Sequence, residues 1–449
     1  QKYIYNELGL LGTIVFPDNS DIKCKYDNIG RKTSIINQLN NEFKFSYLSF
    51  DSIKISMSEL DLCHINFQPN TLLASLILSN SMDYIASYDK NYNLKSEKKL
   101  DNSKLEYEYD KLNRLISISD VNNRFLRFSY IFPNYLKSII KPNNEIINFI
   151  YEDNYLVKIS QSLNNEFSFE YDVYGNLTKI IDPNFNQYNY KWSLHGKNTG
   201  IILPDNSSLE FVFDLNGNLI SEKLRNNQVI SYKYNSRNLI SEKNEANTNY
   251  YNYLYNANKR FLKVVDKFDR QSLYSYNKAG NLINFQSFNN MNYIFDYNKL
   301  NSVSNIKINN QKNYNFNSDI LGNINSISLP SGAIFEYQYT NNKLSSISNK
   351  QAEIKILYDR INRPTNFIDA YNKILSFQYD NSSLINKIIL PNLSYYDLNY
   401  NGLGSLVNIK KPEGNILSYF YDNNQNLIRF FNDEKLIANL KYNQLNKVE

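Results

Sequence analysis

The chain has 449 residues, of which 42% are hydrophobic and 21% are charged, so it has enough apolar side chains to fold rather than stay disordered. Its net charge of +5 comes from 49 basic and 44 acidic residues, and this small excess does not indicate a nucleic-acid-binding protein. Two cysteines, Cys24 and Cys63, make neither a disulfide framework nor a zinc site. No apolar stretch approaches the roughly 20 residues of a membrane-spanning helix.

An aromatic residue recurs about every 21 residues along the whole chain, and we call this position the anchor of each repeat. It is aromatic in 21 of 22 repeats, and Ser318 is the exception. Twenty-two anchors leave 21 gaps, of which 18 are 21 residues, two are 20 and one is 19. The residue two positions before each anchor is apolar, and a spacing of two puts both side chains on one face of a β-strand. The anchors are Tyr5, Tyr26, Tyr47, Phe67, Tyr88, Tyr109, Tyr130, Tyr151, Tyr171, Trp192, Phe213, Tyr234, Tyr255, Tyr276, Tyr297, Ser318, Tyr339, Tyr358, Tyr379, Tyr400, Tyr421 and Tyr442.

A turn is predicted directly after each anchor. The next residue is Asp or Asn in 16 repeats, and such side chains accept backbone hydrogen bonds that start a turn. The fourth residue after the anchor is Gly in eight repeats and Asn in six, including Asn134, which indicates a left-handed turn position. We therefore predict repeat turns at Asp27, Gly30, Asp110, Asn113, Asp172, Gly175, Asp214, Gly217, Gly280, Gly322, Asp359 and Gly404.

A second turn separates one repeat from the next. It reads FPDNS at 16, KPNNE at 141 and LPSGA at 329, and Pro followed by Asn, Asp or Gly is typical of β-turns. Two turns and two strands of about seven residues account for the period, so consecutive strands are antiparallel. The sequence predicts an all-β fold of tandem hairpins.

About 44 strands make a sheet that is too long to stay open and flat. Two repeats would also make one four-stranded propeller blade, but the sequence has no 42-residue super-period. We therefore predict a spiral sheet that forms a hollow β-shell or part of one. Residues 1–449 are expected to be a single region of about 22 repeats cut from a longer protein. The repeat is weakest between residues 47 and 87, which we interpret as a degenerate repeat, a bent wall segment or a contact for a neighbouring domain.

The segments YDNIGRK at 26, YDKLNRL at 109, YDVYGNL at 171 and FDLNGNL at 213 resemble the YD-repeat (Rhs repeat) family of Rhs polymorphic toxins, C-type components of Tc toxins, and teneurins. The resemblance covers the whole chain. It implies a shell that encloses a C-terminal toxin polypeptide in the bacterial members, or that takes part in cell-surface adhesion in teneurins. The sequence departs from the family in having only 13 glycines, and Asp182-Pro183 lacks the DPxGL context of a self-cleavage junction.

No constellation of catalytic residues emerges from the sequence. His64 and His195 lie in different repeats, and no GxSxG, P-loop, GxGxxG or CxxC motif occurs. We expect a non-enzymatic shell of a secreted or cell-surface protein, without cofactor, metal, nucleic acid or membrane span. Its expected partner is an encapsulated C-terminal polypeptide or a delivery-complex protein. Adhesion or glycan binding by aromatic runs such as YYNYLYN at 250 is the alternative, and an enzyme is a third hypothesis without supporting residues.

Overall fold

The computed structural model describes residues 1–57, 60–68, 72–78, 83–161, 165–246 and 248–449. Every regular element in these ranges is a β-strand. The chain forms two compact units. Unit 1 comprises Gln1–Ser87, Glu97–Asn102 and Tyr232–Glu353, and unit 2 comprises Tyr88–Ser96, Ser103–Ser231 and Ile354–Glu449.

The described strands follow one another at nearly constant spacing. The first eleven are β1 (Lys2–Tyr5), β2 (Leu11–Val15), β3 (Asp21–Tyr26), β4 (Lys32–Ile36), β5 (Glu42–Ser49), β6 (Ser52–Met57), β7 (Leu60–Gln68), β8 (Leu72–Leu78), β9 (Asp83–Tyr88), β10 (Leu94–Lys98) and β11 (Lys104–Tyr109). The next twelve are β12 (Leu115–Asp120), β13 (Phe125–Ile131), β14 (Tyr135–Ile140), β15 (Ile146–Glu152), β16 (Tyr155–Gln161), β17 (Asn165–Tyr171), β18 (Leu177–Ile181), β19 (Gln187–Trp192), β20 (Asn198–Ile202), β21 (Ser208–Phe213), β22 (Leu219–Lys223) and β23 (Val229–Tyr234).

The remaining strands continue the pattern to the end of the chain. They are β24 (Ile240–Glu245), β25 (Asn249–Tyr255), β26 (Phe261–Asp266), β27 (Gln271–Tyr276), β28 (Leu282–Gln286), β29 (Asn292–Tyr297), β30 (Val303–Ile308), β31 (Lys312–Ser318), β32 (Ile324–Ser328), β33 (Ile334–Thr340) and β34 (Lys343–Ser348). The last nine are β35 (Glu353–Tyr358), β36 (Pro364–Ile368), β37 (Ile374–Tyr379), β38 (Ile385–Ile389), β39 (Tyr395–Tyr400), β40 (Leu406–Lys410), β41 (Ile416–Tyr421), β42 (Leu427–Asn432) and β43 (Lys435–Asn439).

Within each unit, consecutive described strands pair in antiparallel fashion, as the pairings from β11 to β23 illustrate in unit 2. A propeller would interrupt this pairing after every fourth strand, so the blade alternative is wrong. The predicted fold class, an all-β array of tandem antiparallel hairpins, is confirmed.

The two faces of the sheet differ in polarity. In β11, Leu105, Tyr107 and the anchor Tyr109 are half-buried on one face, while Glu106 and Glu108 are exposed on the other. Tyr107 lies opposite Ile118 of β12, which lies opposite Leu126 of β13, so apolar side chains continue from strand to strand. We call the face that carries the anchors the apolar face.

Side chains on the apolar face pack against lateral neighbours rather than against a second layer. Tyr253, Phe261, Tyr274, Phe285 and Tyr293 come from five successive strands, and their ring centroids are 5.7, 6.2, 5.0 and 5.6 Å apart in that order. Only five hydrophobic residues in the described ranges are buried, with less than a tenth of their surface exposed: Met57, Ala86, Ile230, Val264 and Ile356. The accessible surface is 27,662 Å², against about 18,000 Å² for a compact monomer of this mass. The sheet is therefore an open wall without a conventional core.

The irregular gaps between anchors have a structural reason. Two-residue turns with positive φ at both positions replace longer turns at Asp153–Asn154 and at Asn341–Asn342. Each shortens its repeat, and the gaps that follow Tyr151 and Tyr339 are 20 and 19 residues. The weak segment from 47 to 87 keeps the antiparallel pairing from β5 to β9. Residues 58–59, 69–71 and 79–82 of that segment lie outside the described residues.

Turns that are far apart in the chain contact each other within each unit. In unit 2, the Nδ2 of Asn184 donates to Asp422 at 2.9 Å, and the Nδ2 of Asn424 donates to Asp182 at 2.7 Å. In unit 1, the Nδ2 of Asn41 donates to the carbonyl oxygen of Lys299 at 3.2 Å. These partners are 238 to 258 residues apart, which is about 11 or 12 repeats. Each unit thus contains two tiers of hairpins that meet edge to edge through their turns, and we call their line of contact the seam.

The left-handed turn position gives a first test of the fold. Asn113 has φ of +60°, and its side-chain oxygen accepts hydrogen bonds from Asn91 and Asn93 at 2.9 and 3.0 Å. We expect Asn113→Val to lower the melting temperature, because a β-branched residue is strained at positive φ by about 1–2 kcal/mol. Asn113→Gly is the control, since it loses the same hydrogen bonds without the strain. Equal melting temperatures for the two variants would contradict the turn assignment.

Candidate functional site: the repeat turns and the apolar face

The predicted aspartates cap the turns that follow their anchors. One Asp110 oxygen accepts the N–H groups of Leu112 at 2.8 Å and Arg114 at 3.0 Å, and the other accepts the Nε of Arg114 at 2.7 Å. The same cap, with Arg or Asn as the side-chain donor, recurs in the pairs Asp27–Arg31, Asp359–Arg363, Asp172–Asn176 and Asp214–Asn218. The hydrogen bond from the Asn176 side chain is the largest influence that lowers the pKa of Asp172, and the Asn218 side chain does the same for the pKa of Asp214.

The turn backbone explains the Gly and Asn positions. The N–H of Gly30 donates to Asp27 at 3.0 Å and the N–H of Asp27 donates to Arg31 at 2.9 Å, which is a type I turn followed by a left-handed bulge residue. Asn134 differs, because its turn contains a cis peptide bond between Phe132 and Pro133 and its φ is not positive. The predicted left-handed residues have these φ angles: Gly30 +84°, Asn113 +60°, Gly175 +81°, Gly217 +81°, Gly280 +93°, Gly322 +85° and Gly404 +87°.

The anchor hydroxyl links each repeat to the one before it. The hydroxyl of Tyr130 donates to the carbonyl oxygen of Leu115, 15 residues earlier, at 2.7 Å. Trp192 keeps this link through its Nε1, which donates to Leu177 at 2.7 Å. The same bond is formed by Tyr26, Tyr47, Tyr171, Tyr255, Tyr297, Tyr339, Tyr379, Tyr400, Tyr421 and Tyr442. Sequence reasoning missed this bond, although the preference for Tyr over Phe at the anchor is its signal.

Arginine connects the turn to the next anchor. The guanidinium of Arg114, which pairs with Asp110, lies 4.8 Å from the ring centroid of Tyr130. Arg363 lies 4.3 Å from the ring of Tyr379 in the same arrangement. The aspartate cap, the cation–π contact and the hydrogen bond of the anchor hydroxyl together connect each repeat to the next. The predicted turn residues are therefore not brought together into a single centre, because each serves its own repeat.

No metal centre is assembled from the residues that the structure describes. Within those ranges, no group of three or more His, Cys, Asp or Glu side chains is placed to hold a metal ion. His64 lies in β7 and His195 in the turn after Trp192, so the two histidines belong to separate repeats. In the same ranges no helix is long and apolar enough to cross a membrane.

Unit 2 contains a cavity of about 370 Å³ beside its seam. Asp182 in its wall is buried, and its side chain accepts hydrogen bonds from Asn186 at 3.0 Å and Asn424 at 2.7 Å. Burial raises the pKa of Tyr188, which also lines the cavity. The lining combines aromatic rings with polar groups: Phe167, Ile180, Asp182, Tyr188, Tyr190, Asn424 and Asn446.

Antiparallel hairpins, capped left-handed turns and linked anchors define a class of protein, the β-hairpin repeat wall. The model of the teneurin YD-shell family matches residues 220–353 and 339–448, together about half of the sequence. The chain belongs to the YD-shell family, and the predicted YD-repeat relationship is confirmed.

Solved structures share the fold at low sequence identity. The TcdB2-TccC3-Cdc42 crystal structure matches with a TM-score of 0.69 at 12% identity, over 96% of this chain and 28% of that chain. The Photorhabdus luminescens Tc holotoxin pore with mutated TccC3 matches with a TM-score of 0.54 at 13% identity, over 96% and 27%. The TcdB2-TccC3 structure without its hypervariable C-terminal region gives 0.52 at 13% identity, over 96% and 27%. This chain therefore spans less than a third of these proteins. A comparison with curated protein sequences finds no match.

The aspartate caps predict how stability depends on pH. The pKa of Asp172 is lower in the folded protein than its usual value near 3.9, so the cap is fully stabilising above that value and is lost as the pH falls through the folded pKa. We expect the melting temperature to fall as the pH is lowered below about 4. Asp172→Asn keeps the acceptor oxygen, as Asn277 and Asn401 do in their repeats, and should show a smaller fall. An identical pH dependence for both proteins would contradict this role.

Proposed function

We propose that this region is a non-catalytic wall that encloses a polypeptide within a secreted bacterial protein of the Rhs or Tc toxin type. The observation that carries the proposal is the apolar face, whose aromatic and aliphatic side chains have no second layer over them among the described residues. A contiguous apolar surface that no other layer covers marks a place where proteins contact other molecules. Membership of the YD-shell family and the fold shared with TcdB2-TccC3 support the same interpretation.

The chemistry of the apolar face suits a polypeptide without a fixed structure. Tyrosine and phenylalanine offer large contact areas to many side-chain types, so the wall needs no particular cargo sequence. Residues such as Tyr107, Ile118 and Leu126 form a nearly continuous surface with few hydrogen-bonding groups. Such a surface would separate a cargo from water and from other proteins by mechanical enclosure, and this work requires no catalytic residue or cofactor.

The cargo is proposed to be a C-terminal polypeptide of the same protein, and the second proposed partner is a protein of its delivery complex. One structural neighbour is TcdB2-TccC3 without its hypervariable C-terminal region, which supports a cargo of variable sequence. Residues 1–449 would form one continuous part of the shell, and the protein would act outside the producing cell or at its surface.

Protease protection tests enclosure in the full-length gene product that contains this region. We expect a segment outside residues 1–449 to resist trypsin under native conditions as long as the wall is intact. The double variant Asn184→Ala with Asn424→Ala removes two seam donors while leaving the aspartate caps in place, so it should speed cleavage of that segment. Mass spectrometry of the fragments over time gives the measurement.

Asn226→Ala is the matched control, because the Asn226 side chain bonds only within its own turn, to Gln228. The control should leave the protection unchanged. Enclosure would be contradicted if every segment outside the wall were digested as fast in the intact protein as in isolated form.

Glycan binding at a cell surface is the second candidate. The cavity beside the seam favours it, because Tyr188 and Tyr190 line it together with Asn424, whose Oδ1 is buried without a hydrogen-bond partner among the described residues. Oligosaccharide binding that is lost in Tyr190→Ala, together with no protease protection of any segment, would favour this candidate over enclosure.

A further inference from the structure

Asp182 carries a negative charge that is buried in unit 2 without a positive partner in its own turn. The residue is 5% exposed. Its Oδ1 accepts the N–H groups of Asn184 and Asn186, both at 2.9 Å, and its Oδ2 accepts the Nδ2 groups of Asn186 at 3.0 Å and Asn424 at 2.7 Å. These donors together fit only the ionised carboxylate, because a carboxyl proton would occupy a position that one of them uses. All of them are neutral amides, so the charge is hydrogen-bonded but not neutralised.

The equivalent turn at Asp266 shows what is missing. Asp266 is 6% exposed and pairs with Arg270, four residues later, at 2.6 Å. Asp182 has Asn186 at that position. Asp172 also has an asparagine four residues later, but it is half-buried and so remains in contact with water. Buried charges in proteins are ordinarily paired, so the surroundings of Asp182 favour a cation from outside its own turn.

The cavity beside the seam adjoins this charge. It has a volume of about 370 Å³, and the rings of Phe167, Tyr188 and Tyr190 line it together with Asp182 and Asn424. The Nδ2 of Asn424 donates to Asp182, and its Oδ1 is buried without a hydrogen-bond partner among the described residues. Burial, followed by the charge of Asp182, raises the pKa of Tyr188, so this charge acts on the cavity wall. The cavity therefore combines a carboxylate that is not neutralised, an unused acceptor and aromatic rings.

We propose that this cavity binds the guanidinium group of an arginine in the enclosed polypeptide, an inference that rests on the proposed enclosure. A guanidinium supplies the positive charge that Asp182 lacks, and one of its N–H groups can donate to the Oδ1 of Asn424. The aromatic rings of the lining attract it as well. Tyr190 lies two residues before the anchor Trp192, so its ring is on the apolar face that the polypeptide would contact.

Arginine fits this site better than lysine or a neutral sugar. The acceptor positions of the Asp182 carboxylate are already occupied, so a strongly hydrated ammonium group would lose water that the site cannot replace. A guanidinium is more weakly hydrated and stacks on aromatic rings. The chain uses the same combination within its repeats, where Arg363 pairs with Asp359 at 2.7 Å and lies 4.3 Å from the ring centroid of Tyr379. A neutral sugar would leave the charge of Asp182 without a partner.

Ligand-observed NMR of the purified chain with a capped arginine tripeptide, acetyl-Gly-Arg-Gly-amide, tests the site. We expect a dissociation constant on the order of 1 mM. The matching citrulline peptide has a neutral urea of nearly the same shape and should bind about tenfold more weakly, and the lysine peptide several-fold more weakly. Asp182→Asn should weaken binding of the arginine peptide about tenfold. Tyr190→Leu should weaken it about threefold, because it removes a ring but keeps an apolar side chain.

Asp172→Asn is the matched control, because it removes the same charge from a capped turn of unit 2 that does not line the cavity. It should leave binding unchanged, and circular dichroism should show the same strand content in all variants. The site is overturned if the arginine peptide does not bind, if the citrulline peptide binds equally, or if Asp172→Asn weakens binding as much as Asp182→Asn. If Asp182→Asn does not fold, unchanged binding in Tyr190→Leu also overturns it.

Arginine modification in the full-length gene product identifies the source of the guanidinium. Phenylglyoxal should react slowly with an arginine outside residues 1–449, and faster in Tyr190→Leu, while the same segment keeps its protection from trypsin. Methylguanidinium that binds as tightly as the arginine peptide, or a protected segment without a shielded arginine, would overturn the polypeptide as the occupant and leave the enclosure standing. Rapid digestion of that segment in the parent protein would contradict the enclosure itself, and with it this occupant.

Discussion

The aspartate-capped left-handed turn is the constraint on which the rest of the wall depends. Asp110 and its equivalents fix a five-residue turn whose fourth residue must accept positive φ, and this sets the register of the hairpin. The register shift beside the anchor places Leu115 opposite Tyr109, and the carbonyl of Leu115 then accepts the hydroxyl of Tyr130. Each turn therefore determines both its own hairpin and the attachment of the next one.

Stability in such a wall comes from neighbours rather than from a core. Five buried hydrophobic residues in the described ranges are too few to hold a chain of this length together, so lateral packing and repeated hydrogen bonds must do so. One anchor bond contributes about 1 kcal/mol, but at least twelve of these bonds occur at equivalent positions among the described residues. The seam adds contacts between the two tiers of hairpins in each unit. Long-range order is thus built from a small set of local interactions that are repeated.

The sequence predicts the features that depend on residues close to one another in the chain. The period, the antiparallel hairpins and the positions of the turns follow from columns of Asp, Gly and Asn, and in the structure Gly30 and Asn113 have positive φ. Non-local contacts could not be predicted in this way. Asn143 and Asn184 make seam contacts, but nothing near them in the sequence distinguishes them from the many other asparagines in turns. At Asn134 the predicted left-handed conformation is wrong. Its turn contains the cis peptide bond between Phe132 and Pro133, and its φ is not positive.

The family and the fold are established, whereas the enclosed polypeptide is a proposal. The wall that would enclose it depends on the idea that turn and anchor act together across the repeat boundary. A double-mutant cycle of Arg363→Gln and Tyr379→Leu tests that idea most directly, because Arg363 pairs with Asp359 and stacks on Tyr379. Urea unfolding should give a coupling energy of about 0.5–1 kcal/mol between the two substitutions. Strictly additive effects would contradict the account.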